Sequence, residues 1–225
     1  MAHSFEDSTS LETLIDHAVM VEAGLSVEDE GLEDLSVPWG ALIVHLKGAR
    51  DTRDEKRHAW LRAVARVRAR DNRWDRGIVR VSGKAYFAAN KDANAEPYAP
   101  LFGSIKARDA LGLGPAKAVV FGVALADKLE KLNHPALVGE ADAVRAANEG
   151  LLAAATIRTK AHEDVMWQSV ERTRLVGQVN LLLAQTEAAI LTRFPGDDER
   201  VKALLYPARK KEKAEDVELP TTPEG

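Results

Sequence analysis

The chain has 225 residues, of which 29% are charged and 45% hydrophobic, with 15 Gly and 9 Pro; this excludes collagen-like, low-complexity and wholly disordered proteins. The absence of Cys excludes disulfide bonds, thiol nucleophiles and thiolate metal sites. The longest apolar run, residues 118–126, falls far short of the roughly 20 residues that a membrane span needs. The first residues also lack the basic and apolar segments of a signal peptide, so we expect a cytoplasmic protein without membrane contact.

The net charge of −4 is unevenly distributed along the chain. Residues 1–34 carry ten acidic residues and no Lys or Arg, whereas residues 50–84 carry twelve Lys or Arg and five acidic residues. Such asymmetry indicates an interaction within the chain or with a partner. We interpret residues 1–35 as an acidic N-terminal arm with one short helix, residues 36–207 as a helical bundle, and residues 208–225 as a flexible charged tail.

The N-terminal part of the chain has signals for two short helices. Thr9 and Glu12 have the spacing of a capping box, which predicts a helix that ends near Gly24. Ser36 is expected to cap a second helix over residues 37–50, because a Ser side chain accepts hydrogen bonds from the N–H groups of a first turn.

A long helix is predicted over residues 53–89, opened by a second capping box at Thr52 and Glu55. Its apolar residues are spaced alternately four and three apart, a heptad pattern that keeps one stripe of a helix against a partner helix. This first seam, which Asp71 interrupts, contains Trp60, Val64, Val67, Trp74, Ile78, Val81, Ala85 and Ala88.

The second half of the chain predicts two further long segments of helix. Pro115 begins a helix over residues 115–132 that is apolar nearly all round, which is typical of the centre of a bundle. The heptad spacing then resumes over residues 141–190 as a second seam. This pattern favours one helix over residues 136–193, with a break near residues 156–160 as the alternative.

These elements predict an all-α fold, an elongated antiparallel helical bundle with long heptad-patterned helices. Residues 38–44 resemble residues 115–121, and each pattern would open a shorter helix that is followed by a long one. If the likeness reflects a duplication, the bundle consists of two helical hairpins. No stretch alternates apolar and polar residues convincingly enough to predict a strand.

Motifs for metal binding, catalysis and phosphate binding are incomplete. Glu55 and His58 have a spacing used in di-iron bundles, but no second copy of the motif follows. No Gly-x-Ser-x-Gly sequence marks a nucleophile. The glycine-containing turn before Pro115 is followed by Lys117 but departs from the phosphate-loop pattern, so we expect a plain turn. We therefore expect no metal, no cofactor and no catalytic residue.

Polar residues interrupt both seams, and buried charges are costly unless they are paired. Three interpretations are open: a polar layer that fixes the register, with Asp71 paired to Arg158 or Arg172; a polar pocket that holds a ligand; or a stretch of helix that lies in water. The polar seam consists of Asp71, Asn148, Arg158, His162 and Arg172, with Ser169 beside them.

One face of the first long helix is basic along its length. At 100° per residue, six Lys or Arg residues fall within about 80° of one another, opposite the first seam. We call this face the basic stripe, and it consists of Arg62, Arg66, Arg73, Arg76, Arg80 and Lys84. It could be a solvated face, a partner for the acidic N-terminal arm, a contact for another protein, or a track for a polyanion such as nucleic acid.

The sequence favours a non-enzymatic interaction or scaffold protein that self-associates, because the seams are long enough to pair between chains. A polyanion-binding module that uses the basic stripe is one alternative, and an enzyme whose site no motif announces is another. A protein partner or a second copy is preferred over nucleic acid, since Trp60 and Trp74 lie on the seam and are not available for base stacking.

Overall fold

The computed structural model describes residues 4–27, 31–103 and 105–206, and 83% of these described residues are helical. No strand occurs among them, so the prediction of an all-α helical bundle is confirmed. The predicted tail over residues 208–225 lies outside the described residues. The helices are α1 (Leu11–Val27), α2 (Glu33–Ala88), α3 (Tyr98–Phe102), α4 (Ala107–Ala110), α5 (Pro115–Leu132), α6 (Glu140–Arg193) and α7 (Asp198–Leu205), and a short 3₁₀ turn, Pro135–Leu137, precedes α6.

The first helix begins and ends later than the sequence predicts. Ser10, not Thr9, caps α1, because its Oγ accepts the backbone N–H of Thr13 at 3.1 Å. The helix continues past Gly24 to Val27. Leu25 is fully buried, so the apolar face of the helix extends beyond the glycine.

The prediction of separate helices over residues 37–50 and 53–89 is wrong, because both segments belong to α2. Ser36 lies inside α2 and donates its hydroxyl to the carbonyl of Glu33 at 2.7 Å instead of capping a helix. Pro38 also lies inside α2, whereas Pro115 begins α5, so the two proline patterns of the suggested duplication occupy different positions. Residues 49–57 are mostly good helix formers, which explains why no break is needed there.

The helix over residues 115–132 and the continuity of the second long helix are both confirmed. The segment over residues 156–160, where a break was the alternative, contains no Gly or Pro. Its Thr156 and Thr159 donate their hydroxyls to the carbonyls of Leu152 and Ala155, one turn earlier. These side chains therefore bond to the helix without interrupting it.

The chain divides into two compact units, each with its own core: unit 1 comprises residues 1–50 and 171–225, and unit 2 comprises residues 51–170. In unit 1, α1 packs against the N-terminal part of α2, the C-terminal part of α6, and α7. The Trp39 indole N–H donates to Thr186 Oγ1 at 3.1 Å, and both side chains are buried. The largest fully buried side chains of this core are Leu14, Leu25, Leu32, Trp39, Leu46 and Leu175.

In unit 2, the C-terminal part of α2 packs against α3, α5 and the N-terminal part of α6. The first seam is buried from Val67 to Ala85, where its apolar residues form much of this core, whereas Trp60, Val64 and Ala88 are half-buried. Within the unit, the segments of α2 and α6 run antiparallel, because Lys56 contacts Asp164 while Trp74 contacts Asn148. Fully buried members of this core include Trp74, Ile78, Leu101, Phe102, Leu125 and Leu151.

Three helices meet at Asn148 in the core of unit 2. Its Oδ1 accepts the indole N–H of Trp74 at 2.7 Å, and its Nδ2 donates to the carbonyl of Val119 at 3.4 Å. Gly122 faces the same amide so closely that a Cβ added there would overlap Asn148 Oδ1 and lie 2.6 Å from Nδ2. Gly122 is therefore required because α5 approaches the side chain of Asn148 without leaving room for a methyl group.

We expect Gly122→Ala to lower the free energy of unfolding by about 1–3 kcal/mol, because the added methyl group must displace a buried, hydrogen-bonded amide. Gly77→Ala is the matched control, since no atom lies within 4 Å of a Cβ at that position in α2. The control should raise the free energy of unfolding by about 0.5–1 kcal/mol through helix propensity. Urea unfolding of both variants tests this, and equal stability of the two would contradict it.

Candidate interaction surfaces

All six residues of the basic stripe are exposed, but its two ends differ. Arg80 Nη2 lies 2.9 Å from Glu140 Oε2, and Lys84 Nζ lies 2.7 Å from Glu140 Oε1. Glu140 is only 5% exposed, although it is charged. The C-terminal end of the stripe is therefore partly neutralised within unit 2, by a single acidic residue that the sequence analysis did not single out.

Glu140 lies in the first turn of α6, where the helix dipole favours an acidic side chain. Burial alone would raise the pKa of this carboxyl group. The hydrogen bonds and charges of Lys84 and Arg80 outweigh burial, so the pKa lies below its ordinary value. The sequence signal for this contact was an acidic residue directly after Gly139, at a helix start, but nothing in the sequence indicated its partners.

The N-terminal half of the stripe keeps its charge uncompensated. Within the described part of the chain, Arg62, Arg66 and Arg73 form no ion pair. Arg76 donates its Nε–H to the carbonyl of Asn72 at 3.2 Å and also has no acidic partner among the described residues. The three unpaired guanidinium groups are spread over about 16 Å of helix, at 1.5 Å per residue.

The acidic N-terminal segment has contacts of its own in unit 1. The inner face of α1 is buried in the core, with Leu14, Ala18 and Val21 fully enclosed. Asp34 forms an ion pair with Arg193 at 2.6 Å. The hydrogen bond from Arg193 holds the pKa of Asp34 below its ordinary value. α1 is thus part of a folded core, and one acidic residue of the segment is already paired.

The members of the polar seam lie in different surroundings. Asn148 is buried and forms two hydrogen bonds, whereas Asp71, Arg158 and Arg172 are half-buried and His162 is exposed. Asp71 and Arg158, which both belong to unit 2, form no ion pair with each other in the part of the chain that the structure describes. Within unit 2, the members of the polar seam therefore do not form one continuous layer of paired charges.

The surroundings of Asp71 and His162 differ in kind. Burial, together with the nearby charge of Asp71, raises the pKa of Asp75 above its ordinary value. The negative charge of Asp71 thus contributes to the raised pKa of a second acidic residue, Asp75. His162 packs its ring against Trp60, with the ring centroids 6.3 Å apart, at the exposed surface of unit 2.

An open apolar groove of about 550 Å³ runs along α5 in unit 2. Its walls come from α3, the segment before α5 and α5 itself, and they include Leu101, Leu113 and Phe121. The groove has two charged lining residues, Lys117 and Lys128, and neither forms an ion pair within the described residues. We call this feature the α5 groove; its apolar surface is partly open to solvent.

A second cavity, of about 490 Å³, lies beside the N-terminus of α5. Lys117 and Arg158 line it together with Gly114, the residue that precedes Pro115. The turn before α5 is extended at Gly114, and the helix begins at Pro115, which has no N–H to offer an anion. The structure thus brings one member of the polar seam next to the glycine-containing turn.

The two units carry opposite net charge. Unit 2 has 20 Lys or Arg and 15 Asp or Glu, a net charge of +5. Unit 1 has 11 Lys or Arg and 20 Asp or Glu, a net charge of −9. The electrostatic potential of a charged unit extends over several ångströms in salt solution, and it favours the approach of a unit of opposite charge.

Comparisons of the chain with protein-family models, with curated proteins and with solved structures found no match. The described residues contain no group of three or more His, Asp or Glu that could hold a metal ion. Every helix in the described ranges is too short or too polar to cross a lipid bilayer. Function is therefore inferred from the charge, exposure and contacts of the surfaces.

We expect Glu140→Gln to lower the free energy of unfolding by about 1–3 kcal/mol at pH 7, because the charge-assisted hydrogen bonds from Arg80 and Lys84 to this buried carboxylate are weakened. The pKa of Glu140 is lowered on folding from 4.5, so its stabilisation is complete above that pH and is lost as the pH falls through the folded value. The difference between parent and variant should therefore shrink in acid.

Chemical denaturation between neutral and acid pH measures this difference. Glu149→Gln is the control, because Glu149 is exposed and has no hydrogen bond or ion pair among the described residues. We expect the control to stay within about 0.5 kcal/mol of the parent. A Glu140→Gln variant as stable as this control would show that the contact contributes nothing.

Proposed function

We propose that this protein is a non-enzymatic, cytoplasmic scaffold whose copies associate with one another. The observation that carries the proposal is the opposite net charge of its two units, −9 and +5. Each copy contains one unit of negative and one unit of positive net charge, so electrostatic attraction between copies needs no further partner.

Exposed apolar side chains support the same proposal. The α5 groove is open to solvent, and Met166, Trp167 and Val170 are exposed on α6, with Trp167 67% accessible. Clusters of exposed large apolar residues commonly mark surfaces that contact another protein. Attraction between the charged units would bring such surfaces together, and apolar contact would hold them.

Sedimentation equilibrium of the full chain tests self-association. We expect a mass above 24.5 kDa that rises with protein concentration at low salt. The apparent dissociation constant should increase by about tenfold or more between roughly 50 and 500 mM salt, because screening weakens the attraction. A mass of 24.5 kDa at every concentration and salt would contradict the proposal.

A second candidate function, the binding of a polyanion, is favoured by the unpaired N-terminal half of the basic stripe. Arg62, Arg66 and Arg73 are exposed on one helix face and have no ion pair in the described part of the chain. The three arginines extend over about 16 Å of helix. A nucleic-acid duplex carries one negative charge per about 1.7 Å, so several phosphates lie within that length.

Binding to duplex DNA by fluorescence anisotropy tests this second candidate. If the three arginines contact phosphates, changing Arg62, Arg66 and Arg73 to Gln should weaken binding and reduce the slope of log affinity against log salt by about 3. The control changes Lys106, Arg108 and Lys131 to Gln, which removes the same charge from exposed residues outside the stripe.

The control variant should bind like the parent. Equal weakening by both triple variants would mean that net charge, and not the stripe, governs binding. Absence of binding by the parent at about 50 mM salt would eliminate the polyanion function, because screening is weak at that ionic strength.

A further inference from the structure

We propose that the α5 groove of one copy binds the outward face of α1 of a second copy, so that the chains associate head to tail. This inference rests on the proposed self-association and names the two surfaces that produce it. Both surfaces belong to the described residues, and each lies in a different compact unit of the chain.

The first surface is the α5 groove. Val120 is 71% exposed and Ile105 43% exposed, so apolar side chains remain in water in the isolated chain. Lys117 and Lys128 also line the groove, about 16 Å apart along α5 at 1.5 Å per residue. Nearby Asp127 and Glu130 both contact Arg145 and so do not neutralise these lysines. The groove therefore fits an occupant that is apolar and carries negative charge.

The second surface is the outward face of α1. Asp16, Val19, Met20, Ala23 and Val27 are all exposed, and at 100° per residue they fall within about 100° of one another. The opposite side of α1 is buried in the core of unit 1, so this helix is held in place by its other face. Three large apolar side chains with an acidic residue at the N-terminal end are thus presented to solvent, and Val27 is 78% exposed.

The match between the two surfaces is one of polarity and of charge. Helix faces with apolar residues at intervals of three and four commonly dock into apolar grooves. An α1 face on a unit of net charge −9 would meet a groove on a unit of net charge +5. The α5 groove and its occupant are present in equal numbers because every copy contains both.

The two surfaces are different, so the interface is heterologous. Each pair of copies leaves one α5 groove and one α1 face open, and further copies add until a ring closes or a filament grows. The head-to-tail arrangement predicts a result that a two-fold symmetric dimer does not. A copy with a blocked groove and a copy with a blocked α1 face can still form one interface together, and they stop at two chains.

Sedimentation velocity of the full chain with two exposed-site variants tests the interface. Val120→Asp blocks the groove and Met20→Asp blocks the α1 face, and circular dichroism should show parental helix content in both. We expect each variant alone to be monomeric and an equimolar mixture to form a 1:1 complex. Val79→Asp is the matched control, since Val79 is 53% exposed on α2 outside both surfaces, and it should associate like the parent.

Charge reversal provides an independent check that does not touch the apolar contacts. Asp16→Lys should weaken self-association by about tenfold, because it places a positive charge against the lysines of the groove. Combination with Lys117→Glu or with Lys128→Glu should restore association in one of the two cases. The lysine that restores it identifies which end of the α5 groove receives the N-terminal end of α1.

The outcomes separate this inference from the proposed function. Oligomers that survive both Val120→Asp and Met20→Asp would overturn the inference and leave self-association standing. Loss of association in only one of these variants, or a mixture that stays monomeric, would also overturn it. A parent chain that is monomeric at every concentration and salt would overturn both proposals.

Discussion

The core of each unit contains a tryptophan from α2 whose indole N–H has to find an acceptor away from water. Thr186 Oγ1 accepts from Trp39 in unit 1, and Asn148 Oδ1 accepts from Trp74 in unit 2. A buried donor left without a partner costs about 1–3 kcal/mol, a large share of the stability of a single domain. Because both acceptors lie on α6, these bonds fix the register of α6 against α2 within each unit.

The packing of α5 follows from the same constraint in unit 2. Once Asn148 points at Trp74, α5 can come close only where it has no side chain, and Gly122 meets that need. Ala118 and Ala126, also fully buried, are the small residues on the same side of α5. With its small residues turned inward, α5 presents Val120 and Val123 to solvent, which leaves the α5 groove beside them. A hydrogen bond in the core thereby determines where an apolar surface is exposed.

Charge is divided between internal contacts and the surface. Glu140 forms ion pairs with the two residues at the C-terminal end of the basic stripe, and Arg193 forms an ion pair with Asp34 at the start of α2. Exposed pairs such as the latter contribute little to stability, whereas the buried carboxylate of Glu140 depends on its two donors. Among the described residues, Arg62, Arg66 and Arg73 of the basic stripe have no ion pair, and the two units carry net charges of opposite sign. Both proposals for function start from these charges.

The sequence by itself determined the helical class, the apolar stripe of the first seam and the bounds of α5, and it favoured the continuity of α6, because the periodicity of apolar residues is a local property of the chain. That the seam is only half-buried at Trp60 and Val64 was decided by the tertiary structure. The sequence wrongly predicted that one helix starts after Ser36 and another at Thr52, although both residues lie inside α2. A Ser or a Thr-x-x-Glu pattern can lie inside a helix as well as at its start. Tertiary structure alone decided that Asn148 bonds to Trp74, that Glu140 pairs with Arg80 and Lys84, and that α5 leaves a groove. Those contacts join residues 56 to 74 positions apart. Packing and desolvation in the folded chain select such partners, and the local spacing of residues in the sequence does not predict them.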